Sequence, residues 1–396
     1  MRIRRCAILL IEPREELEFS LASLCDGGDG VASRTTVLAL APHLDVDVVI
    51  GTAEIAALGA IGATPWRDFD ELAIEHAPTL LHSLIAQGLL ISEGEAHATM
   101  RARDEKVRSA NWQVHSAISH YAGRWHDVAS GEEADKAGVT TMSELFARLG
   151  PPPPHVLERV DAPMRQPLPE PRRTTLDALL ARRATCRNFA AHTPVELGVF
   201  SDIMHRVFGA QAAYEIHADN VVLKRNSPSG GGLHPTEAYV VARNVEGLKP
   251  GLYHYHPIDH ALEPLDSPAT EAIDHFVDTL VAKQKYFTGA GVFVVIVARF
   301  ARMFWKYRKH TKAYRAIVLE AGHLSQNFYL SATEFNLGAF ITAAINEIEI
   351  EQAFGLDALA ESPIAVLGLG QRAAECTTFE FDPNSKVWPH GVDQPR

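Results

Sequence analysis

Four cysteines in 396 residues, Cys6, Cys25, Cys186 and Cys376, are too few and too scattered for a disulfide framework, and no pair has zinc-ligand spacing. A reduced, cytoplasmic setting is expected. Long apolar runs are missing too: no stretch approaches the roughly 20 apolar residues that a membrane span requires. The N-terminus starts basic and then apolar, but Glu12 and Pro13 cut it short and no small-residue cleavage site follows, so residues 1–12 read as a first strand rather than a signal peptide. Cations are in deficit, 37 Lys and Arg against 49 Asp and Glu, a net charge of -12 that argues against a protein whose main task is to coat nucleic acid. There is no internal repeat, no GxGxxG opening a βαβ unit and no phosphate loop ending in Lys-Ser/Thr.

What is present points to two domains, since 396 residues exceed one ordinary core. Residues 34–95 follow the order strand, helix, helix, helix. Thr52 and Pro78 supply start signals, and Leu80, Leu81, Leu84 and Ile85 share the last helix's apolar face. That order predicts a winged-helix-like domain over 1–100. Its third helix offers His76, Thr79, His82, Ser83 and Gln87 but no Lys or Arg, which favours docking of a peptide or partner over DNA. A Trp-bearing stretch, 101–127, reads as a connecting helix. Pro151 to Pro154 with Pro163, Pro167, Pro169 and Pro171 then mark a semi-rigid linker, giving a connector over 101–172. The second domain, 173–396, opens with a helix after Thr174 (Leu176, Leu179, Leu180). A second helix runs from Pro194 through Phe200, Ile203, Met204 and Val207, strands are expected at 238–242 and 292–298, and a long helix over about 313–336. Strands and helices do not alternate regularly, so the fold class is α+β.

Chemistry concentrates in four places. Arg183 and Arg187, with Arg182, share a face if their segment is helical, and guanidinium forks at that spacing suit a phosphate or merely make a solvated basic face. Gly230, Gly231 and Gly232 let a backbone pass close to a ligand, or form a surface turn. Lys306 and Tyr307 can position or move a proton, or can belong to a basic loop with an aromatic anchor. In 320–332 small and aromatic residues interleave on a helix suited to packing against another surface, such as a dimer mate. His254, His256 and His260 sit in a strand and turn and are read as structural, with no metal expected.

In this order the segments resemble the SagB-type dehydrogenases of the nitroreductase superfamily, over roughly 169–372. The motifs that carry the likeness are Ser227-Pro228-Ser229-Gly230-Gly231 with Pro235 and Glu237, Gly251-Leu252-Tyr253-His254-Tyr255, and Glu320-Ala321-Gly322-His323 with Gln326-Asn327. The resemblance implies an FMN enzyme that oxidises azoline rings to azoles during maturation of ribosomally made peptides. Arg183, Thr185 and Arg187 look like the element along the FMN phosphate, ribityl chain and ring edge. Pro228, Ser229, Gly230 and Gly231 look like the loop packed on the flavin, and Ala343 and Ala344 belong to the segment whose amides face N5. Arg372 is placed near the phosphate. Lys306 and Tyr307 resemble a catalytic Lys-Tyr pair. Thr185 replaces the usual Ser, and His234 the usual Tyr, which makes His234 the candidate substrate contact. A homodimer, a precursor peptide substrate and a cyclodehydratase partner are implied, with no nucleic acid and no membrane. Two other activities fit the same residues: an NAD(P)H-using flavin reductase of small molecules or dehydrated peptide residues, and an inactive peptide-docking module.

Overall fold

A computed structural model describes residues 1–388 except Asp219 and Pro268. The chain divides into two compact units. The first is Met1–Arg124 with Arg299–Arg315 and Asp357–Glu361; the second is Trp125–Ala298, Ala316–Leu356 and Ser362–Arg396. The first therefore runs past the expected bound at 100 and takes in two short segments from far along the sequence.

In the first unit, two strands replace the one expected at the N-terminus, Arg2–Arg5 and Leu10–Phe19, because Cys6 and Ile8 between them turn into the core. Arg2–Arg5 is the middle strand of a three-stranded sheet, between Arg67–Asp68 and Leu90–Ser92, and is antiparallel to both. Leu10–Phe19 pairs with Val31–Leu40 in a second sheet. Helices Thr52–Ala60, Phe69–Glu75 and Pro78–Ala86 bury Leu58, Leu72, Leu81, Leu84 and Ile85 against Ile3 and Leu90. The expected connecting helix is two, Ala98–Ser109 and Val114–Ala122; between them Asn111 takes φ 60°, which an α-helix cannot continue.

The second unit is built on a six-stranded sheet. Its order is Ala261–Pro264, Gly251–His256, Thr236–Ala242, Val292–Arg299, Glu361–Gly370 and Gly338–Thr342. Alternation along the central strand sorts the core: Val292, Val294 and Ile296 face one cluster, and Phe293, Val295 and Val297 the other. The first cluster takes in Phe200, Ile203, Met204 and Val207 of helix Leu197–Phe208, at the i, i+3, i+4, i+7 spacing of one helix face, and Leu324 and Phe328 of the long helix Ala313–Glu334. The second takes in Ile273 and Val277 of helix Thr270–Leu280 and Ile350 of helix Glu347–Phe354. Two layers of helices thus cover an antiparallel-rich sheet, an α+β arrangement. Ahead of it, helices Ser130–Lys136 and Met142–Leu149 precede the proline-rich stretch, which is exposed and irregular apart from one turn at Ala162–Met164. Among the described residues no helix is long and apolar enough to cross a membrane.

Candidate active site

The arginine segment is not helical. Helix Thr175–Arg182 starts at Thr174, whose hydroxyl accepts from the Asp177 N–H while Asp177 accepts from the Thr174 N–H, and it stops at Arg183, which is extended at φ -69°, ψ 114°. Beyond it the chain joins the outer strand Gly338–Thr342: Thr185 bridges Ala339 in parallel, and the Cys186 N–H donates to the Ala339 carbonyl at 2.8 Å. An edge strand offers unused backbone groups, and bonding to them outweighs any helical preference here. Gly338 permits the approach, since a Cβ there would lie 2.4 Å from Cys186 Sγ.

Extended backbone changes what the spacing means. With a period of two, Arg183, Thr185 and Arg187 still share a face, while Ala184, Cys186 and Asn188 are buried behind them. The two arginine Cα atoms, however, stand roughly 13 Å apart along a strand, about twice the helical separation. Neither guanidinium is ion-paired among the described residues. Arg183 lies over the Tyr329 ring at 5.3 Å and Arg187 over the Tyr286 ring at 5.9 Å.

Tyr329 ties this strip to the next candidate segment. Its hydroxyl is 3.0 Å from Thr185 Oγ1 and accepts from the Ile341 N–H at 3.2 Å. The turn after Ile341 is set by Thr342, whose Oγ1 accepts from the Ala344 N–H at 3.1 Å, and by Gln284, whose Nε2 donates to the Ala344 carbonyl at 2.9 Å. Ala343 is exposed between them. Gln284 also accepts from the Tyr286 hydroxyl at 3.1 Å, linking this turn to the ring beneath Arg187. Arg187, Lys285, Tyr286, Gly289 and Thr378 are among the residues lining an open cleft of about 810 Å³, within the size range of cofactor sites.

Behind the strip lies Glu380, fully buried. It accepts from the N–H groups of Arg187 (2.6 Å) and Asn188 (3.0 Å), from Asn188 Nδ2 (2.9 Å), from Arg372 Nη1 (2.7 Å) and from Trp388 Nε1 (2.9 Å). Burial pushes its carboxyl pKa up, but these donors and the Arg372 charge outweigh it and hold the group below the usual range. Arg372 gives its other terminal nitrogen to the Ala184 carbonyl at 3.2 Å, so both are engaged in bracing the strip.

The glycine loop packs on the long helix. Gly231 and Gly232 take φ 67° and 68°, and His234 takes φ 46°. Ser229 Oγ accepts from the His234 N–H at 2.9 Å. His234 is only 8% exposed and so presents little surface to a substrate. Lys306 and Tyr307 belong to the first unit, at the end of helix Phe300–Lys306. Lys306 is exposed, its Nζ 5.4 Å from the centre of the half-buried Tyr307 ring. Their helix is anchored by Phe300 and Phe304, whose rings lie 4.5 and 4.7 Å from that of buried Trp112.

The three histidines are engaged locally: His254 with Glu263 (2.6 Å) and Glu237 (3.4 Å), His256 with Asp259 (3.1 Å), and His260 with Tyr255 (2.7 Å) and Ser201 (2.8 Å). Among the described residues there is no cluster of three or more His, Cys, Asp or Glu suited to a metal. Site-building residues that sequence reasoning missed are Tyr329, Gln284, Tyr286 and Glu380. Tyr329 stood in a segment read only for packing; the others lie in stretches with no motif.

The sequence profile of the Nitroreductase family matches residues 180–371. The chain is 26% identical over 205 residues to a nitroreductase-type protein of Methanocaldococcus jannaschii, covering 52% of this chain and 95% of that one. It is 29% identical over 154 residues to the trifolitoxin-processing protein TfxB of Rhizobium leguminosarum bv. trifolii, covering 38% and 40%. Against the microcin B17-processing protein McbC of Escherichia coli it is 28% identical over 155 residues, covering 37% and 54%. The match thus spans about half or less of the two processing proteins' own lengths. The α+β unit carries the matched segment almost entire, so the likeness to the nitroreductase family lies in this domain.

Proposed function

We propose that this protein is an FMN-dependent dehydrogenase of the SagB type, oxidising azoline rings to azoles in the maturation of a ribosomally made peptide. The observation that carries the reading is the strip of Arg183, Thr185 and Arg187, with two guanidinium groups free of ion pairs among the described residues, joined through Tyr329 to the turn at 341–344. The likeness to two peptide-processing proteins supports the substrate class.

The donor set fits FMN. FMN carries its phosphate dianion at one end and, at the other, a ring edge that gains negative charge on reduction; two guanidinium groups set apart on an extended strip could serve one end each. Arg183, Thr185 and Arg187 would hold it, Arg372 would steady them through Glu380, residues 228–231 would wall it, and the turn at Ala343 and Ala344 would offer backbone amides. FMN, when bound, would supply the acceptor for the hydride that leaves the azoline. Lys306 or Tyr307 would act as the base that takes the proton. The first unit, which holds a three-stranded sheet and three helices, is read as winged-helix-like and assigned to docking the precursor peptide or its cyclodehydratase partner. Val318, Leu319 and Gly322, exposed on the long helix, are the surface assigned to a homodimer.

Lys306→Ala should leave FMN bound and slow azole formation sharply, read by single-turnover kinetics on an azoline peptide. Unchanged turnover would remove Lys306 from the mechanism. A purified protein without flavin absorbance that takes up no added FMN would overturn the whole reading.

A further inference from the structure

The loop at 227–236 is held in a conformation it would not choose alone. His234 has a side chain, yet sits in the left-handed region beside two left-handed glycines. Such a backbone persists only where its surroundings over-determine it. The restraints come from one face of helix Ala313–Glu334. Thr236 Oγ1 donates to Glu320 Oε1 at 2.6 Å, His323 Nδ1 is 3.2 Å from the Pro228 carbonyl, and Asn327 Nδ2 donates to Ser227 Oγ at 2.7 Å. Residues 320, 323 and 327 are spaced i, i+3, i+7, one stripe of a helix.

Glu320 stands apart within this stripe. It is 2% exposed, and its second oxygen, Oε2, has no hydrogen-bond partner among the described residues. A buried carboxylate oxygen left without a donor is costly, so its retention calls for a role. Burial raises its pKa, while Ser229, Thr236 and the Arg225 charge oppose that rise. Ser229 and Thr236, at opposite ends of the loop, thus both act on this carboxylate.

We propose that Glu320, His323 and Asn327 form a clamp that fixes the glycine loop, with Glu320 its central positioning residue: it holds Thr236 at one end of the loop and is poised to receive the Ser229 hydroxyl at the other. The stretch from Glu320 to Asn327 thereby has a task beyond helix packing. The inference rests on reading residues 228–231 as a wall of the FMN site.

Hydrogen exchange of the amides of 229–234 in the full-length, flavin-free protein tests the clamp directly, with FMN affinity by fluorescence quenching as a second readout. Glu320→Ala should speed loop exchange and weaken FMN binding, each by about tenfold or more, the effect of losing one charged hydrogen bond. Glu320→Gln keeps an acceptor for Thr236 and gains a donor for Ser229, and should restore both to within roughly threefold. Asn327→Ala should loosen the Ser227 end alone. Loop exchange unchanged in a folded Glu320→Ala protein, or Glu320→Gln as impaired as Glu320→Ala, overturns the proposal. If Glu320→Ala does not fold, Asn327→Ala and Ser229→Ala decide it by the same exchange measurement, unchanged rates in both counting against the clamp. Should the wild-type protein take up no FMN, the functional reading falls while the exchange experiment still judges the clamp.

Discussion

The two units hold their candidate chemistry by opposite means. In the first, Lys306 and Tyr307 ride at the end of a short helix whose grip is apolar, Phe300 and Phe304 against Trp112. In the second, Arg187 stands on a strip whose grip is polar, five donors converging on Glu380. Apolar packing is non-directional and tolerates solvent and pH change. A buried carboxylate network fixes geometry closely but fails as a unit when one member is lost or protonated.

The largest effect should follow from Glu380→Ala. It strands the Arg372 guanidinium and four further donors, and should cost about 5 kcal/mol of stability by denaturant unfolding, because uncompensated buried charge is the expensive outcome. The same network predicts acid sensitivity. A carboxyl whose folded pKa lies below its ordinary value of 4.5 gives its full stabilisation above that value and loses it as the pH falls through the folded pKa. In the Glu380→Ala protein that part of the acid-side slope should be gone. Next is Trp112→Ala, expected to cost about 3–4 kcal/mol from the cavity it leaves. Its stability loss should begin to shrink as the pH falls below about 6.5, because burial holds His120, stacked on Trp112, down to a pKa of about 3 and the cavity relieves that penalty, whereas the Glu380 slope begins only below 4.5; one shared pH window would erase the contrast between the units. Smallest is Tyr329→Phe, which removes one hydroxyl shared by Thr185 and Ile341 and should cost about 1 kcal/mol. Because that hydroxyl joins the arginine strip to the turn at 341–344, its loss should show more in flavin affinity than in unfolding, and the reverse ranking would mean that the bond is only structural.

Local signals were legible in the sequence and distant ones were not. The Thr174 start, the apolar stripe of the Leu197–Phe208 helix and the strand over 292–298 all follow from spacing that the chain carries within a dozen residues. Whether the arginine segment is helical was left open, because Arg183 and Arg187 at i, i+4 satisfy a helix and a strand equally. What decides between them is the edge of Gly338–Thr342, some 150 residues away. Glu380 could not be found for the same reason: it is a lone acid, and its partners come from 187–188, 372 and 388. Nor does any local feature announce that 299–315 folds with the N-terminal unit. The glycine run was visible, but its dependence on the helix bearing Glu320 required coordinates.

Because the strip alternates residue by residue, the positions assigned to the cofactor and the buried interior share one short piece of chain. Residues 183, 185 and 187 can vary with the ligand, whereas 184, 186 and 188 answer to the sheet edge and to Glu380. If the strip holds the flavin as proposed, natural drift or deliberate redesign of that preference is confined to the odd-numbered positions. A single inserted or deleted residue between them would exchange the two sets at once, placing cations in the interior and apolar groups against the ligand.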